Sequence, residues 1–419
     1  MRIGVPRENL NRERRVALTP AGVSTLIAAS HEVVLEVGSG LRSGFSDAQY
    51  REAGATIAQR GAVIGSSGVV VQINGPTTAD LASPEWENLG PDHTLISLQD
   101  PLWRPADAAA LAATGATVIS LELIPRTTRA QAMDVLSSMA TVAGYEAALL
   151  GASRLAKMLP MMMTAAGTVP PARFVILGAG VAGLQAIATA RRLGAVVEGY
   201  DIRPAALEQI QSVGAKAIEI DLSPAALAAQ PGADKTPPPE SGDGPEDAGG
   251  YATEQTEAIN RRQNEQLTPY LAEADVVITT AAIPGAASPE LITTEMVEAM
   301  RPGSVIIDLA AERGGNCRLT MPDDEVIHEG VIILGPTDLA SGASATSSQM
   351  FSNNVISLLK HLAPDGQPAI DMSDEITAGT VVGYGGQVPH PAVRAKLDLE
   401  PLEPEPLDPE PEASQEQSS

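Results

Sequence analysis

Short runs of aliphatic and β-branched residues recur along the chain at strand length, and between several of them apolar positions return at helical spacing. In the N-terminal part the strand-like runs are Arg2 to Pro6, Val33 to Val37, Val69 to Ile73, Thr94 to Leu98 and Thr117 to Leu123. Helical patterns lie at Ala21 to Ala29 and Ala106 to Ala113. This alternation predicts a parallel sheet covered by helices. A proline-free, Ala- and Leu-rich stretch from about Thr128 to Met158 predicts one long helix leading into a second domain. There the pattern resumes, with strands at Phe174 to Leu177, Val196 to Tyr200, Lys216 to Ile220, Val276 to Thr280, Ser304 to Leu309 and Val331 to Leu334. Helices are expected at Glu254 to Ala274 and Thr294 to Met300, and a closing helix after Asn353 is expected to return to the first domain. The organisation read from this is a discontinuous first domain (1–136 and 337–392) and a second domain (137–336).

Composition narrows the picture. Aromatics are 3% of the 419 residues against 44% hydrophobic, so the cores must be built from small aliphatic side chains, which suits α/β layers. The net charge of −25 disfavours nucleic acid and anionic lipid as direct partners. Much of it falls in two Pro- and acid-rich segments, an insertion at 223–250 and a tail at 393–419, both expected to be disordered. No stretch of eighteen or more apolar residues escapes interruption by charge or proline, so no membrane insertion is expected. The N-terminus has no secretory apolar region. The single cysteine, Cys317, permits no internal disulfide and fits a reducing cytosol.

One motif gives the second domain a chemistry. Gly178, Ala179, Gly180, Val181, Ala182 and Gly183 spell G-x-G-x-x-G between a strand and a helix, and Asp201 follows a second strand eighteen residues after Gly183. A lone glycine motif is weak, but these elements in order form a dinucleotide-binding Rossmann fingerprint. Gly178 permits the turn, Gly180 lets the backbone approach a pyrophosphate, and Gly183 brings helix against strand. The helix N-terminus faces the phosphates. Asp201 would accept from the adenosine ribose hydroxyls and repel a 2′-phosphate, so NAD(H) is expected over NADP(H). Arg203, which could argue otherwise, is read as a strand-exit residue.

Three segments carry a closer resemblance. RTTRAQAMDVLSSMATVAGYEA, LPMMMTAAGTVPPARFVILGAGVAGLQAIATARRLGA and DLAAERGGNC resemble the NAD(H)-binding alpha subunit of proton-translocating NAD(P) transhydrogenases, within a superfamily shared with alanine dehydrogenases. The resemblance runs from Arg2 to about Pro391. It implies two Rossmann-like domains with mainly parallel sheets, joined by long helices, with the cofactor cleft between them. It implies that Arg126 contacts the carboxamide, that Gln131 reaches toward the partner's nicotinamide, and that Asp134 and Ser137 orient the ring. It places Tyr251 on a loop closing over NAD(H), and Ile202, Arg203, Thr280 and Ala281 along the cleft. The partners it implies are an NADP(H)-binding beta subunit, a membrane-spanning subunit and a second copy of the chain. The location is then cytoplasmic, peripheral at the inner membrane through those partners. Because the chain stops in an acidic tail, it is expected to be the separate alpha subunit of a split enzyme. Such chemistry needs rings held in near-attack geometry rather than a nucleophile or base. The plainer alternative is a helix-start salt bridge between Arg126 and Asp134, with Ser137 as a packing residue.

An amino-acid dehydrogenase is the competing enzyme. The lysine and histidine that bind and protonate an oxo-acid in alanine dehydrogenases are replaced here by the Gln72 and Asn74 region and by Gln99 and Asp100. Glu312 stands near the later aspartate, and Arg15 alone survives. Amides cannot donate that proton. Cys317 has no Cys or His at ligand spacing, so no metal is expected, and the methionines from Met158 to Met163 read as flexible packing. A non-catalytic NAD-sensing protein is the third reading.

Overall fold

The structure is a computed structural model that describes residues 1–9, 12–222 and 257–402. The expectations for the 223–250 insertion, for Tyr251 and for the tail beyond 402 lie outside the described residues.

Six strands of the N-terminal part, β1 (Arg2–Val5), β2 (Glu32–Glu36), β3 (Thr56–Ala58), β4 (Val69–Asn74), β5 (Thr94–Leu98) and β6 (Thr117–Ser120), pair in parallel. After the hairpin of β7 (Met162–Thr164) and β8 (Gly167–Val169) comes a second sheet. It comprises β9 (Arg173–Leu177), β10 (Val196–Tyr200), β11 (Lys216–Ala217), β12 (Val276–Thr279), β13 (Val305–Asp308), β14 (Glu325–His328) and β15 (Val331–Leu334). Its order is β11-β10-β9-β12-β13-β15-β14, parallel except at β14. A final strand, β16 (Val381–Gly383), returns to the first sheet, which runs β16-β6-β5-β4-β1-β2-β3 with only β16 antiparallel. The chain is thus α/β with two mainly parallel, Rossmann-like sheets. Their central strands are nearly continuous Val, Ile and Leu because helices cover both faces.

Six helices matter for the site: α1 (Pro20–Ala28), α2 (Val135–Arg154), α3 (Val181–Arg192), α4 (Glu257–Glu273), α5 (Ser344–Leu362) and α6 (Glu375–Thr380). The long helix expected from about Thr128 begins only at Val135. Residues Gln131–Met133 form a single 3-10 turn, and the Asp134 carboxylate caps α2 by accepting from the Ser137 N–H at 2.9 Å. Side-chain capping sets the start where composition alone could not. By length and composition α2 could cross a membrane, with mean hydropathy 1.3. Here it joins two cores: Val135 and Met139 lie in the first, with Phe351 and Val355 of α5, and Ala147 and Ala148 lie in the second, under β9 and β12.

Other differences are local. The run expected at Lys216 to Ile220 pairs over only two residues. Residues from 393, expected to open the disordered tail, begin within a helix, Pro391–Lys396. Val393 is fully buried there, and Arg394 donates to the Val388 carbonyl at 2.9 Å. Beneath the Met-rich stretch is the β7–β8 hairpin, which leaves Met161 and Met163 exposed.

Candidate functional site

β9 delivers the chain to Gly178, whose φ of +99° suits glycine, and α3 starts directly after Gly180. A Cβ on Gly183 would overlap the Gly178 carbonyl oxygen, so only glycine lets the helix lie this close to the turn. Gly180 is different: a Cβ there would meet nothing within 4 Å and would project into open space. The three glycines therefore do separate work, and the middle one leaves room for a ligand against the helix N-terminus.

That room is a cleft of about 560 Å³ at the carboxyl ends of β9, β10 and β12, within the size range of cofactor sites. The stretch from Gly178 to Ala182 forms one wall, Asp201, Ile202 and Arg203 a second, Thr280 and Ala281 a third, and Arg126 and Ser137 approach from the interdomain side. The structure thus brings most of the expected residues to one cavity. Gly183 stands behind the wall as a packing residue. Asp134 is absent from the lining. It grips Ser137 instead, accepting from the backbone at 2.9 Å and from Oγ at 2.5 Å. Gln131 is exposed on its turn, also outside the lining.

Asp201 is more committed than the sequence suggests. Its carboxylate accepts from the Ala179 N–H at 2.7 Å, which ties it to the glycine turn. It also accepts from the Arg203 backbone at 3.0 Å and from two Arg203 guanidinium nitrogens, each at 2.9 Å. Burial works to raise its pKa, but the bonds from Arg203 and Ala179 outweigh it and hold the carboxyl below the usual range. Arg203 is therefore locked onto Asp201 while lining the cleft, not simply leaving the strand.

Further residues of the site carry no motif. Asp308, fully buried at the end of β13, accepts from Thr279 Oγ1, Thr320 Oγ1 and the N–H groups of Ala310, Asn316 and Cys317, at 2.6–3.0 Å. It thereby fixes Asn316, whose side chain bonds both the N–H and the carbonyl of Ala281 and the carbonyl of Pro289. This pair holds the far wall. Its only sequence signal is the polar character of Asp308 at the end of an apolar strand. Tyr200 and Gln263 also line the cleft; they are 4% and 2% exposed, and the Tyr200 hydroxyl and Gln263 Oε1 have no hydrogen-bond partner among the described residues. Buried orphans of this kind in a cavity wall, with the open space over Gly180, fit an elongated polar ligand such as a dinucleotide.

A second, more polar cleft of about 730 Å³ adjoins the first at Leu136. Its wall includes Arg15, paired with Glu13 at 2.6 Å, and Asp100, which Arg313 of the second domain reaches across the gap. Gln72 and Gln99 are buried and do not line it; their amides turn back onto the Asn74 carbonyl and Ser97 Oγ, each at 2.5 Å.

Two α/β units with a dinucleotide-shaped cleft at a glycine-rich turn define a dinucleotide-binding protein. Residues 4–143 match the family model for the alanine dehydrogenase/PNT N-terminal domain, and residues 147–391 match that for the C-terminal domain. The chain belongs to the alanine dehydrogenase/PNT family. It is 41% identical over 396 residues to the first of the chains that make up NAD(P) transhydrogenase subunit alpha in Rhodospirillum rubrum, covering 94% of this chain and 99% of that one. Against the subunit alpha of Haemophilus influenzae it is 40% identical, covering 93% of this chain and 72% of that one. An alanine dehydrogenase of Mycolicibacterium smegmatis is 28% identical, with 95% and 97% covered. Among solved structures, a transhydrogenase from Sinorhizobium meliloti superposes with TM-score 0.79 at 36% identity, covering 93% of this chain and all of that one. An L-alanine dehydrogenase gives 0.75 at 26% identity, with 95% and 99% covered.

Proposed function

We propose that this chain is the NAD(H)-binding alpha subunit of a proton-translocating NAD(P) transhydrogenase. The observation that supports it best is the meeting of Arg126 and Ser137 with the glycine turn on one cleft, in a chain 41% identical to such a subunit. Bound NAD(H) supplies a nicotinamide that gives or takes a hydride, directly to or from NADP(H) on a partner beta subunit. The chain's own groups position it. The N–H groups at the start of α3 take the pyrophosphate, and Asp201 the adenosine ribose. Arg126 and Ser137, the latter held by Asp134, fix the carboxamide end. Gln131, exposed beside the cleft mouth, is placed to meet the partner. Positioning of this kind is what a transfer without nucleophile or base requires.

In this reading residues 137–336 carry the cofactor, and the domain of 1–136 and 337–392 closes its nicotinamide side. The assembly contains two copies of the chain, and a membrane-spanning subunit couples transfer to proton movement. The chain sits peripherally on the cytoplasmic face of that membrane.

The test mixes the purified chain with a recombinant NADP(H)-binding transhydrogenase domain and follows transfer from NADH to an NADP analogue by absorbance. An alanine–pyruvate assay runs alongside. Transfer that needs both proteins, without alanine turnover, is expected. Oxidation of alanine with no transfer would return the function to an amino-acid dehydrogenase working from the second cleft. Binding of NADH with neither activity would leave a non-catalytic sensor.

A further inference from the structure

We infer that Gln263 reads the base of the bound dinucleotide, with Tyr200 beside it, and so makes the cleft selective for adenine. The inference rests on the NAD(H) reading and deepens it. Gln263 lies on α4 one turn before Leu267, and Leu267 and Leu271 pack with Tyr200, Val175 and Leu177 in one apolar cluster. Residues four apart share a helix face, so Gln263 looks the same way as the side chains that meet Tyr200. Both residues reach the cleft wall, and both are more than nine-tenths buried.

Each also brings an unmet hydrogen bond: Gln263 Oε1 and the Tyr200 hydroxyl have no partner among the described residues. A buried polar atom without a partner is costly, and native proteins seldom leave two in one wall. The remaining lining nearby is apolar and includes Leu184, Ile202 and Leu291. The combination describes a flat, largely apolar ligand with a hydrogen-bonding edge. A glutamine carboxamide and the amino edge of adenine are matched donor for acceptor. In this arrangement Gln263 Oε1 accepts from the 6-amino group and Nε2 donates to the neighbouring ring nitrogen. Tyr200 adds a bond to the adenosine half that is indifferent to the substituent at position 6. Asp201, next to Tyr200 in sequence, serves the ribose, so base and sugar are read by adjacent parts of one wall.

The experiment measures Kd for NADH and for its hypoxanthine analogue, in which a carbonyl oxygen replaces the 6-amino group. It uses fluorescence titration of the purified full chain at pH 8, with a melting curve for each variant. Wild type is expected to prefer NADH by about tenfold. Gln263→Leu should bring the ratio close to one. Gln263→Glu, which cannot turn a donor toward the carbonyl, should widen it. Tyr200→Phe should weaken both ligands several-fold and leave the ratio alone. Equal wild-type affinities, or a ratio that Gln263→Leu leaves unchanged, would overturn the inference while the NAD(H) reading stands. A wild-type chain that binds neither dinucleotide would overturn both.

Discussion

At the residue scale the most consequential pair is Asp201 and Arg203. The aspartate is the feature expected to exclude a 2′-phosphate, and the arginine two residues later is the group that would welcome one. In the structure the carboxylate holds the guanidinium through two bonds of 2.9 Å, so the phosphate-binding cation is neutralised in place. Asp201→Asn removes the charge with little change in shape and releases Arg203. Hydrogen bonds to charged groups contribute roughly 1.5–3 kcal/mol, about a tenfold change in affinity or more. The variant should therefore bind NADH about tenfold more weakly and NADPH more tightly, by fluorescence titration of both. A variant that loses NADH without gaining NADPH would show that Arg203 cannot reach the phosphate position.

At the element scale, the tightest contact beside the cofactor site is between two helices. Gly144 in the middle of α2 faces the first turn of α3, and a Cβ there would overlap the Ala182 carbonyl oxygen. Two effects of Gly144→Ala oppose each other. Helix propensity favours alanine by about 1 kcal/mol, whereas overpacking a contact that cannot yield costs about 1–3 kcal/mol. The obstacle is backbone at the N-terminus of the dinucleotide helix, so the clash should win. Gly144→Ala should lower Tm by several degrees and weaken NADH binding together. A rise in Tm would mean that the helices separate without consequence. Gly144 also shows what the sequence conceals. Gly178, Gly180 and Asp201 are legible because each answers to a local, ordered pattern of strand, turn, helix and strand. The alternation of apolar runs likewise announces both sheets. Gly144, Asn316 and Gln263 answer to neighbours that are distant in sequence, and no local pattern marks them. Composition misplaces the start of α2 because it favours a helix from Thr128, and only the bond from Ser137 to Asp134 shows where the helix begins.

At the scale of the whole molecule, stability depends on how the fold holds its excess of acid. Most carboxylates whose geometry matters are paired, as Glu13 is with Arg15 and Glu36 with Arg60. Glu8 is the exception. It is buried behind β4, accepting from the N–H groups of Ile73 and Asn74 and, at 3.3 Å, from the Asn74 side chain. Burial, and then the nearby charge of Glu13, push its pKa up to about 7. The folded state thus holds a proton that the unfolded chain releases near pH 4.5. Its contribution is fully present below that value and is lost as the pH rises through about 7. Stability of the first domain should accordingly fall between about pH 5 and pH 8, by roughly 3 kcal/mol at most from this group. Glu8→Gln keeps a neutral, hydrogen-bonding side chain at every pH, so its denaturation midpoint should vary less over that window. Its advantage over wild type should appear at pH 8 and vanish near pH 5. Parallel wild-type and variant curves across the window would mean that Glu8 stays ionised in the folded protein, with the Ile73 and Asn74 donors offsetting its burial.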